Sequence, residues 1–590
     1  MKRLCTLIAL FYLGLTYAQD NFMRAESYMR QSQYEKAAQI YKNLIKRNPY
    51  NTTYLKRLAT CFQETDQFQK ADSLIRSSIN TNGSQTYLYV ELGYNYARQQ
   101  QLDSAKFEYE KALAGVDLNP SLGGITGKMF RQNNLLDYAI LAYEKTMKLN
   151  PNSSYQFQVA QIYGEKGEFA QMFDAYINLV DRNESYIGTV QRLSGRFISD
   201  DPTNENNVAL KKSLLRKSIS NPKNVWNELL SWLFTKQKEY NKAFIQEKAL
   251  FKRNPDYLEN IVTLGRIAFE NKDYLAAEEC FKFLLKNTNF IDEKINAELF
   301  LLRILVAFES ESTDAEFNKV LSTYGVNANT IAIQIEYANY LTFNKNQPEK
   351  AEKILEKALE FPKSRFQKAR IKLKLGEVLV FTGRFNKALI YFSQVQTKLK
   401  NHPLSQQARF KVAQTSYFKG DFDWASAQLK VLKGSTTQLI ANDAVELFLI
   451  ISDNKPQDSI PSGLKEYAQA DLLAYQNKNS EALTILKDIH KNYQGFPVED
   501  EALFLEAKLL IKQKKYDEAL LSFAKVTALD PEGILNDDVY YQVAEMYKNQ
   551  LNLPEKAKEY YQKIIFEYPS SIYLVDARKK FRQLRGDTVN

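Results

Sequence analysis

The sequence predicts an all-α protein built as a solenoid of helix-turn-helix units. A residue pattern returns about every 34 residues, which is the mark of a repeat array. Gly and Pro are scarce, at 21 and 15 of 590 residues, which disfavours collagen-like, linker-rich and most all-β chains. No stretch alternates apolar and polar residues between turn signals as a strand does. We therefore expect about fourteen helix pairs in a right-handed superhelix, with no substantial β-sheet.

The repeating pattern places one small residue in each helix of a pair and aromatic residues between them. One unit carries Gly93, Tyr96, Ala105, Tyr109 and Ala112. The same frame occurs in two further units as Ala25, Tyr28, Ala37, Tyr41 and Pro49, and as Gly127, Phe130, Ala139, Tyr143 and Pro151. Two short antiparallel helices cannot bury their apolar faces alone, so each pair needs neighbours. Small residues then allow the helices to approach closely, and the aromatic rings fill the space to the next pair.

This period, with these residue types, resembles the tetratricopeptide repeat (TPR) family. The resemblance covers the whole chain after its first residues. It implies a surface that binds partner proteins, because the first helix of each pair in that family lines a concave groove. The sequence contains only two histidines, His402 and His490, and they fall on different units. We therefore predict no catalytic residues, no metal site and no cofactor, and we expect the protein not to be an enzyme.

Breaks in the repeat pattern divide the chain into blocks. The pattern is lost between 185 and 223, and an extra helix is expected near 438–451. The last helix should close the open end of the stack. The predicted segments are 1–18 as a signal peptide, 19–184 as an N-terminal array, 185–223 as an irregular helical joint, 224–363 as a middle array with a divergent repeat, 364–571 as a C-terminal array, and 572–590 as a capping helix and tail.

The first eighteen residues have the features of a secretory signal peptide. A basic start is followed by about a dozen apolar residues and a small-residue exit at Ala18, which is too short for a membrane anchor. Cys5 lies inside the apolar stretch, so it is badly placed to carry a lipid after cleavage. We expect an exported protein that is periplasmic, with outer-membrane association or secretion as alternatives.

The C-terminal repeats also resemble a narrower group of exported bacterial TPR proteins. Tyr568-Pro569-Ser570-Ser571-Ile572-Tyr573 is followed by Asp576-Ala577-Arg578, and His402-Pro403-Leu404-Ser405 with Ala408 echoes this motif. These segments look like the coordinator associated with the Tol-Pal system and the lipoprotein of the outer-membrane assembly machine. The resemblance implies envelope proteins as partners.

The groove positions known in the family can be transferred to this sequence one residue at a time. They predict an aromatic partner-binding groove with scattered charges. The residues are Phe381, Phe410, Tyr417, Phe418, Tyr467, Tyr475, Phe504 and Tyr541 in the C-terminal block, and Arg98, Lys128 and Arg131 in the N-terminal block. Each ring has an alternative role, which is packing between adjacent units.

The predicted function is a non-enzymatic protein-interaction scaffold of the bacterial cell envelope. Lys and Glu interleave and no long basic run occurs despite a net charge of +10, so nucleic acid is not an expected partner. No segment is apolar enough to span a bilayer. Two alternatives remain open: an exported module that binds glycans or another ligand or supports an enzyme, and a structural oligomerisation spacer. The partner's identity and the oligomeric state are not specified by the sequence.

Overall fold

The structure is a computed structural model that describes residues 21–81, 85–432, 434, 438–455 and 461–586. Over these ranges the regular structure is entirely helical, as predicted, and no strand occurs. None of the described helices combines the length and apolar character that crossing a membrane requires. The predicted signal peptide, residues 1–18, lies outside the described residues.

The chain forms two compact units, of which the first contains residues up to 198 and 202–230, and the second contains 199–201 and 231 onward. The helices of unit one are α1 (21–30), α2 (Tyr34–Arg47), α3 (Thr52–Gln63), α4 (Phe68–Thr81), α5 (Tyr89–Arg98), α6 (Leu102–Leu118), α7 (Gly123–Gln132), α8 (Leu136–Leu149), α9 (Gln156–Lys166), α10 (Phe169–Arg182), α11 (Ile187–Ser194) and α12 (Glu205–Ser220). Helix α13 (Asn224–Lys236) contains the boundary.

Unit two continues the same alternation of first and second helices. Its helices are α14 (Tyr240–Arg253), α15 (Leu258–Glu270), α16 (Tyr274–Asn287), α17 (Ile291–Ala307), α18 (Thr313–Tyr324), α19 (Ile331–Phe343), α20 (Pro348–Ala358), α21 (Arg365–Phe381), α22 (Phe385–Lys398), α23 (Pro403–Lys419), α24 (Phe422–Leu432), α25 (Gln438–Asp453), α26 (Leu464–Tyr475), α27 (Asn479–Asn492), α28 (Val498–Lys512), α29 (Tyr516–Leu529), α30 (Asn536–Asn549), α31 (Pro554–Glu567) and α32 (Leu574–Arg585).

In the regular helix pairs, the turn contains one residue in the left-handed backbone region. In unit one this residue is Ser32, Asp66, Gln100, Asn134 and Gly167 in successive pairs, with φ between 55° and 76°. Unit two repeats the device at Lys272, Asn346, Gly420 and Lys514, among others. Most of these residues carry a Cβ that disfavours the conformation. Tertiary packing of the two helices therefore imposes the turn, whatever residue occupies it.

Close contact between the two helices of a pair explains why small residues recur. A Cβ added at Gly93 would lie 2.4 Å from Cε1 of Tyr109, and one added at Gly376 would lie 2.4 Å from Cε1 of Phe392. The second small position is equally tight, since Ala37, Ala388 and Ala519 are completely buried. The first helix of each pair packs directly against an aromatic ring of the second helix. This contact recurs in every regular pair, which explains why small and aromatic residues recur in the sequence.

The irregular segments are helical too. Helices α11 and α12 occupy the segment in which the repeat pattern is lost, and Asn204 caps α12 by accepting from the N–H groups of Asn206 and Asn207. Helix α25 occupies the place of the expected extra helix, and α32 that of the expected capping helix. The division into arrays and a joint stays a prediction.

Candidate functional site

The first helices of the pairs hold every residue of the predicted groove. Arg98 is on α5 and Lys128 and Arg131 are on α7, so the basic residues belong to unit one. The aromatic residues are on α21, α23, α26, α28 and α30 of unit two. The groove residues therefore form two separate sets, one in each unit.

In unit one the predicted arginines pair with acidic residues of neighbouring repeats. Arg98 Nη1 lies 2.7 Å from Glu64 Oε1, and Arg131 binds Glu165 and donates to Gln161 Oε1 at 3.1 Å. Lys128 is exposed. Both arginine–glutamate pairs join residues 34 positions apart, which is one repeat. The two arginines thus connect first helices, whereas Lys128 remains accessible.

Lys128 lies beside a cavity of about 410 Å³ that is also lined by Lys56, Arg57 and Gln132. The Nζ atom of Lys56 lies 2.8 Å from Glu91, a carboxylate that is only 1% exposed. It also donates to Gln132 and Asn133 at 3.1 Å each. One lysine thereby links three successive first helices, α3, α5 and α7. Its charge is largely satisfied within the unit.

In unit two, three predicted aromatic residues come together with a fourth, Phe343. The ring of Tyr475 lies 5.5 Å from Phe343, 5.8 Å from Phe418 and 6.4 Å from Phe381. Phe381 and Phe418 are buried, whereas Tyr475 retains partial exposure. The side chain of Asn477 donates to the backbone oxygen of Phe343 at 2.7 Å. This aromatic cluster joins first helices that are far apart in sequence.

The remaining predicted aromatics differ in their exposure. Tyr417 and Tyr467 are buried, at 0% and 5% exposed. Phe410 and Phe504 retain partial exposure, and Phe504 packs 5.7 Å from Phe523 with the ammonium group of Lys508 5.2 Å from its ring. The buried rings stabilise the stack. A role for any of them in partner binding stays a prediction.

Tyr541 belongs to a polar and aromatic network at the end of the array. Its ring stacks on that of Tyr573, the residue just before α32, with ring centroids 4.2 Å apart, and its hydroxyl donates to Asp576 at 2.5 Å. Lys580 donates to the same hydroxyl at 2.8 Å and lies 2.6 Å from Glu545. This network fastens the last helix to α30.

Carboxyl groups on the same first helices were missed in the sequence analysis. Asp471, Glu501 and Asp538 lie on α26, α28 and α30, close to Tyr467, Phe504 and Tyr541 in sequence. The signal was available, because these carboxyl groups occupy groove positions of the same repeats. They were passed over because acidic residues on helices are usually solvated.

Burial raises the pKa of all three carboxyl groups. The pKa of Asp471 is raised to about 6, first by burial and then by the charge of Glu446, and Lys508 opposes the shift. The pKa of Glu501 is raised to about 8 by burial and by Asp500, Glu446 and Asp453. Burial also raises the pKa of Asp538 to about 6. Within the described residues, no lysine or arginine lies within ion-pair distance of any of the three.

Glu377 shows the opposite situation on the same face of unit two. Its carboxylate lies 2.5 Å from Lys374 and 3.3 Å from Lys411. These ammonium groups lower the pKa of Glu377 even though burial acts to raise it. Glu377 therefore has two lysines at ion-pair distance. Asp471, Glu501 and Asp538, which follow it along the chain, have no such lysine among the described residues.

Both histidines have structural surroundings. His402 accepts from the N–H of Leu404 at 3.1 Å and caps α23, while its ring lies 4.8 Å from Phe366. His490 Nε2 lies 3.3 Å from Glu506. In the part of the chain that the structure describes, no group of three or more His, Cys, Asp or Glu side chains is arranged to hold a metal ion.

Comparison with known proteins identifies the repeats directly. Models of the tetratricopeptide repeat match residues 467–534, residues 21–49 and 538–571, and residues 86–114. The general transcriptional corepressor ssn6 of Schizosaccharomyces pombe is 23% identical over 120 residues, which is 20% of this chain and 11% of that protein. The chain thus spans only a small part of that relative's length.

Solved structures that are similar to this chain include those of yeast Tom70 and of a tetratricopeptide repeat protein from Parabacteroides merdae. Yeast Tom70 is 15% identical with a TM-score of 0.29, and the match covers 95% of this chain and 98% of that one. A tetratricopeptide repeat protein from Parabacteroides merdae is 13% identical with a TM-score of 0.25 over 48% of this chain and 96% of that one. On the family matches and the helix pairs, the chain contains tetratricopeptide repeats, units that generally mediate protein–protein interaction.

Proposed function

We propose that this protein is a non-enzymatic scaffold that binds a partner protein along the first helices of unit two. The observation that carries the proposal is the row of partly exposed aromatic side chains on these helices, namely Phe410, Tyr475, Phe504 and Tyr541. Aromatic side chains bury large areas at low entropic cost and dominate many interfaces. Because buried neighbours already hold these helices in place, little conformational entropy is lost when their aromatic side chains bind a partner.

The setting we propose is the bacterial cell envelope. The support is the pattern of the first eighteen residues and the resemblance of the last repeats to exported TPR proteins. Fractionation of cells that express the full chain with a C-terminal tag tests the setting. We expect tagged protein of the mass left by cleavage near Ala18 in the periplasmic or outer-membrane fraction. Full-length protein in the cytoplasm would contradict the proposal.

Site-specific photo-crosslinking tests the binding face. A photoreactive amino acid replaces Phe410 on the first helix α23, and in a matched control it replaces Ile390, which is 58% exposed on the second helix α22. Crosslinking is carried out in cells, and the adducts are identified by mass spectrometry. We expect one protein adduct from position 410 that is absent from position 390. Equal labelling at both positions, or no adduct at 410 in the folded variant, would refute the proposed face.

A further inference from the structure

We propose that the end of α26 and the turn after it close part of the first-helix face of unit two, and that this contact opens when a partner binds there. We call Tyr475, Gln476 and Asn477 the clasp. It docks on α19 and α21, first helices that lie three and two pairs before α26 in the chain. The inference rests on the proposed function, which counts Tyr475 among the side chains that contact the partner.

Two side-chain amides of the clasp bind the ends of these remote helices. Gln476 Nε2 donates to the backbone oxygen of Phe381 at 2.8 Å, across 95 residues of sequence. Asn477 Nδ2 donates to that of Phe343 at 2.7 Å, across 134 residues. Phe381 and Phe343 are the last residues of α21 and α19, where backbone oxygens have no partner inside their own helix. The clasp therefore caps two helices of other repeats.

The ring of Tyr475 fills the space between the same helices. Its centroid lies 5.5 Å from that of Phe343, 5.8 Å from that of Phe418 and 6.4 Å from that of Phe381. Aromatic rings at these separations are in direct contact. Tyr475, Phe381 and Phe418 are all predicted groove residues, so the groove residues of α21, α23 and α26 contact one another. A partner segment cannot pass between them in this conformation.

Partner binding at Tyr475 thus requires a second arrangement of this face. Tyr475 retains partial exposure, but a ring that already packs on its own chain gains little further burial from a partner. Once released from α19 and α21, the same ring would be free to contact a partner, and so would Phe381 and Phe418. The closed clasp is therefore an autoinhibitory contact.

Stronger contacts join the helices on which the clasp docks. Lys374 of α21 lies 2.5 Å from Glu377 and donates to Asn339 of α19 at 2.8 Å. Lys411 of α23 lies 3.3 Å from the same carboxylate, whose side chain is only 13% exposed. Charge-assisted hydrogen bonds are stronger than neutral ones. Helices α19, α21 and α23 should therefore stay together when the clasp opens.

The clasp is held by neutral hydrogen bonds that water can reach. The side chain of Asn477 is exposed, and those of Gln476 and Tyr475 are partly exposed. The Tyr475 hydroxyl donates to the backbone oxygen of Glu377 at 3.4 Å, which is long for such a bond. Because water competes for these groups, each bond contributes little to closure. A partner segment that places an aromatic side chain next to side-chain N–H donors can replace all of these contacts.

The distance between two spin labels tests the clasp in the full chain. The labels are attached at Asn344→Cys, just after α19, and at Lys478→Cys, just after the clasp, and both native side chains are exposed. The three native cysteines are replaced by alanine. Pulsed electron paramagnetic resonance gives the distribution of distances between the labels, in which closed and open molecules form separate populations.

Two double variants are compared with the parent. The clasp variant, Gln476→Ala with Asn477→Gly, removes both amide donors, and glycine suits the backbone at 477, where φ is 58°. The matched control, Gln550→Ala with Asn552→Gly, makes the same changes in the turn after α30. Asn552 has φ of 52°, and both control side chains are exposed. Circular dichroism confirms that each variant is folded.

We expect the short distance to dominate in the parent and in the control. In the clasp variant the ratio of open to closed molecules should rise about fivefold or more, because two hydrogen bonds are lost. Photo-crosslinking from position 410 of α23 should then give about threefold more partner adduct than in the parent, because a larger fraction of molecules is competent to bind. The control should leave the adduct yield unchanged.

Equal distance distributions in the parent and the clasp variant would overturn the inference, and so would equal opening in the control. Longer distances in the clasp variant with an unchanged adduct yield would show that the clasp does not restrain binding. The absence of an adduct at position 410 in every variant would refute the proposed binding face instead. The label distances would still decide whether the clasp opens.

Discussion

At the scale of single residues, the array repeats a backbone conformation more faithfully than it repeats an amino acid. The left-handed turn position holds serine, aspartate, glutamine, asparagine, glycine and lysine in different pairs. For a residue with a Cβ this conformation costs roughly 1 kcal/mol or more. The cost is borne because the two helices pack correctly only if the chain turns there.

Replacing Gln100 by Gly should therefore stabilise unit one. Gln100 has φ of 62° and is exposed, so the change removes strain and loses little contact. We expect a gain of about 0.5–1 kcal/mol, reduced by the greater entropy of glycine in the unfolded chain. Urea denaturation followed by circular dichroism measures it. Gly420→Ala is the reverse change at φ of 89° and should destabilise; the same sign for both variants would contradict the explanation.

The buried carboxyl groups give unit two a characteristic dependence on pH. The folded protein holds a proton on Glu501 more tightly than the unfolded chain does, because burial and Asp500, Glu446 and Asp453 raise its pKa to about 8. Stability is therefore highest when Glu501 is protonated, and it falls as the pH rises from about 5 to 8. Lys508 opposes this shift.

Glu501→Gln should remove this penalty at high pH. At pH 8 we expect the variant to be more stable than the parent by about 1–3 kcal/mol, the scale of leaving a buried charged group uncompensated. At pH 5 the two should be nearly equal. Denaturant titrations at both pH values measure the difference, with Glu481→Gln as the exposed control. A loss of stability at pH 8 would show that the Glu501 carboxylate is satisfied in the fold.

At the scale of the element, each pair depends on a few tight contacts between its own two helices. Gly376 of α21 faces Phe392 of α22, and a Cβ would lie 2.4 Å from Cε1 of that ring. Gly376→Ala should force the helices apart and cost about 1–3 kcal/mol. Thermal denaturation measures it, and Gly434→Ala is the control because no atom of a described residue lies within 4 Å of a Cβ there.

The last helix offers a second prediction at this scale. Tyr573 stacks on Tyr541 and donates to Asp538 at 2.6 Å, so Tyr573→Ala should loosen α32. We expect faster amide hydrogen exchange in α32 and α30, with exchange in α19 to α22 unchanged because α32 packs mainly on α31 and bonds to α30. Faster exchange throughout unit two would show that the array unfolds as one cooperative block.

The sequence predicts the packing of the helix pairs well, but it does not predict the burial of the carboxyl groups. Periodic small and aromatic residues such as Gly93 and Tyr109 specify the helix pairs. The two residues touch each other within one repeat, so the requirement is visible in the sequence. The carboxyl groups of Asp471, Glu501 and Asp538 lie on three separate first helices, α26, α28 and α30, and their burial depends on how the repeats stack. The repeat register places Asp471 and Glu501 at groove positions, but it does not give the degree of their burial, so their raised pKa values follow only from the structure.

At the scale of the whole molecule, each unit has one buried cysteine among its described residues, which allows the units to be followed separately. Cys61 belongs to unit one and Cys280 to unit two, and both thiols are free. Burial raises the pKa of each to about 12, which suppresses the reactive thiolate at neutral pH.

We expect neither thiol to react with a thiol-specific reagent in the native protein at pH 8. In rising urea each should become reactive as its own unit opens. Mass spectrometry of labelled peptides assigns the two labelling midpoints, and a Cys61→Ser variant confirms the assignment. Rapid native labelling of either cysteine would contradict the burial. Equal urea midpoints for the two cysteines would show that the units unfold together, and different midpoints would show that they unfold separately.

The left-handed turn position accepts many residue types, and this tolerance has a practical use. Because Lys272, Asn346 and Lys514 lie at pair turns of unit two where the side chain does not choose the conformation, each tolerates a cysteine carrying a dye. Pairs of dyes at such positions would report distances along one unit. A change in the distance between two dyes would then show, repeat by repeat, where a bound partner bends the array.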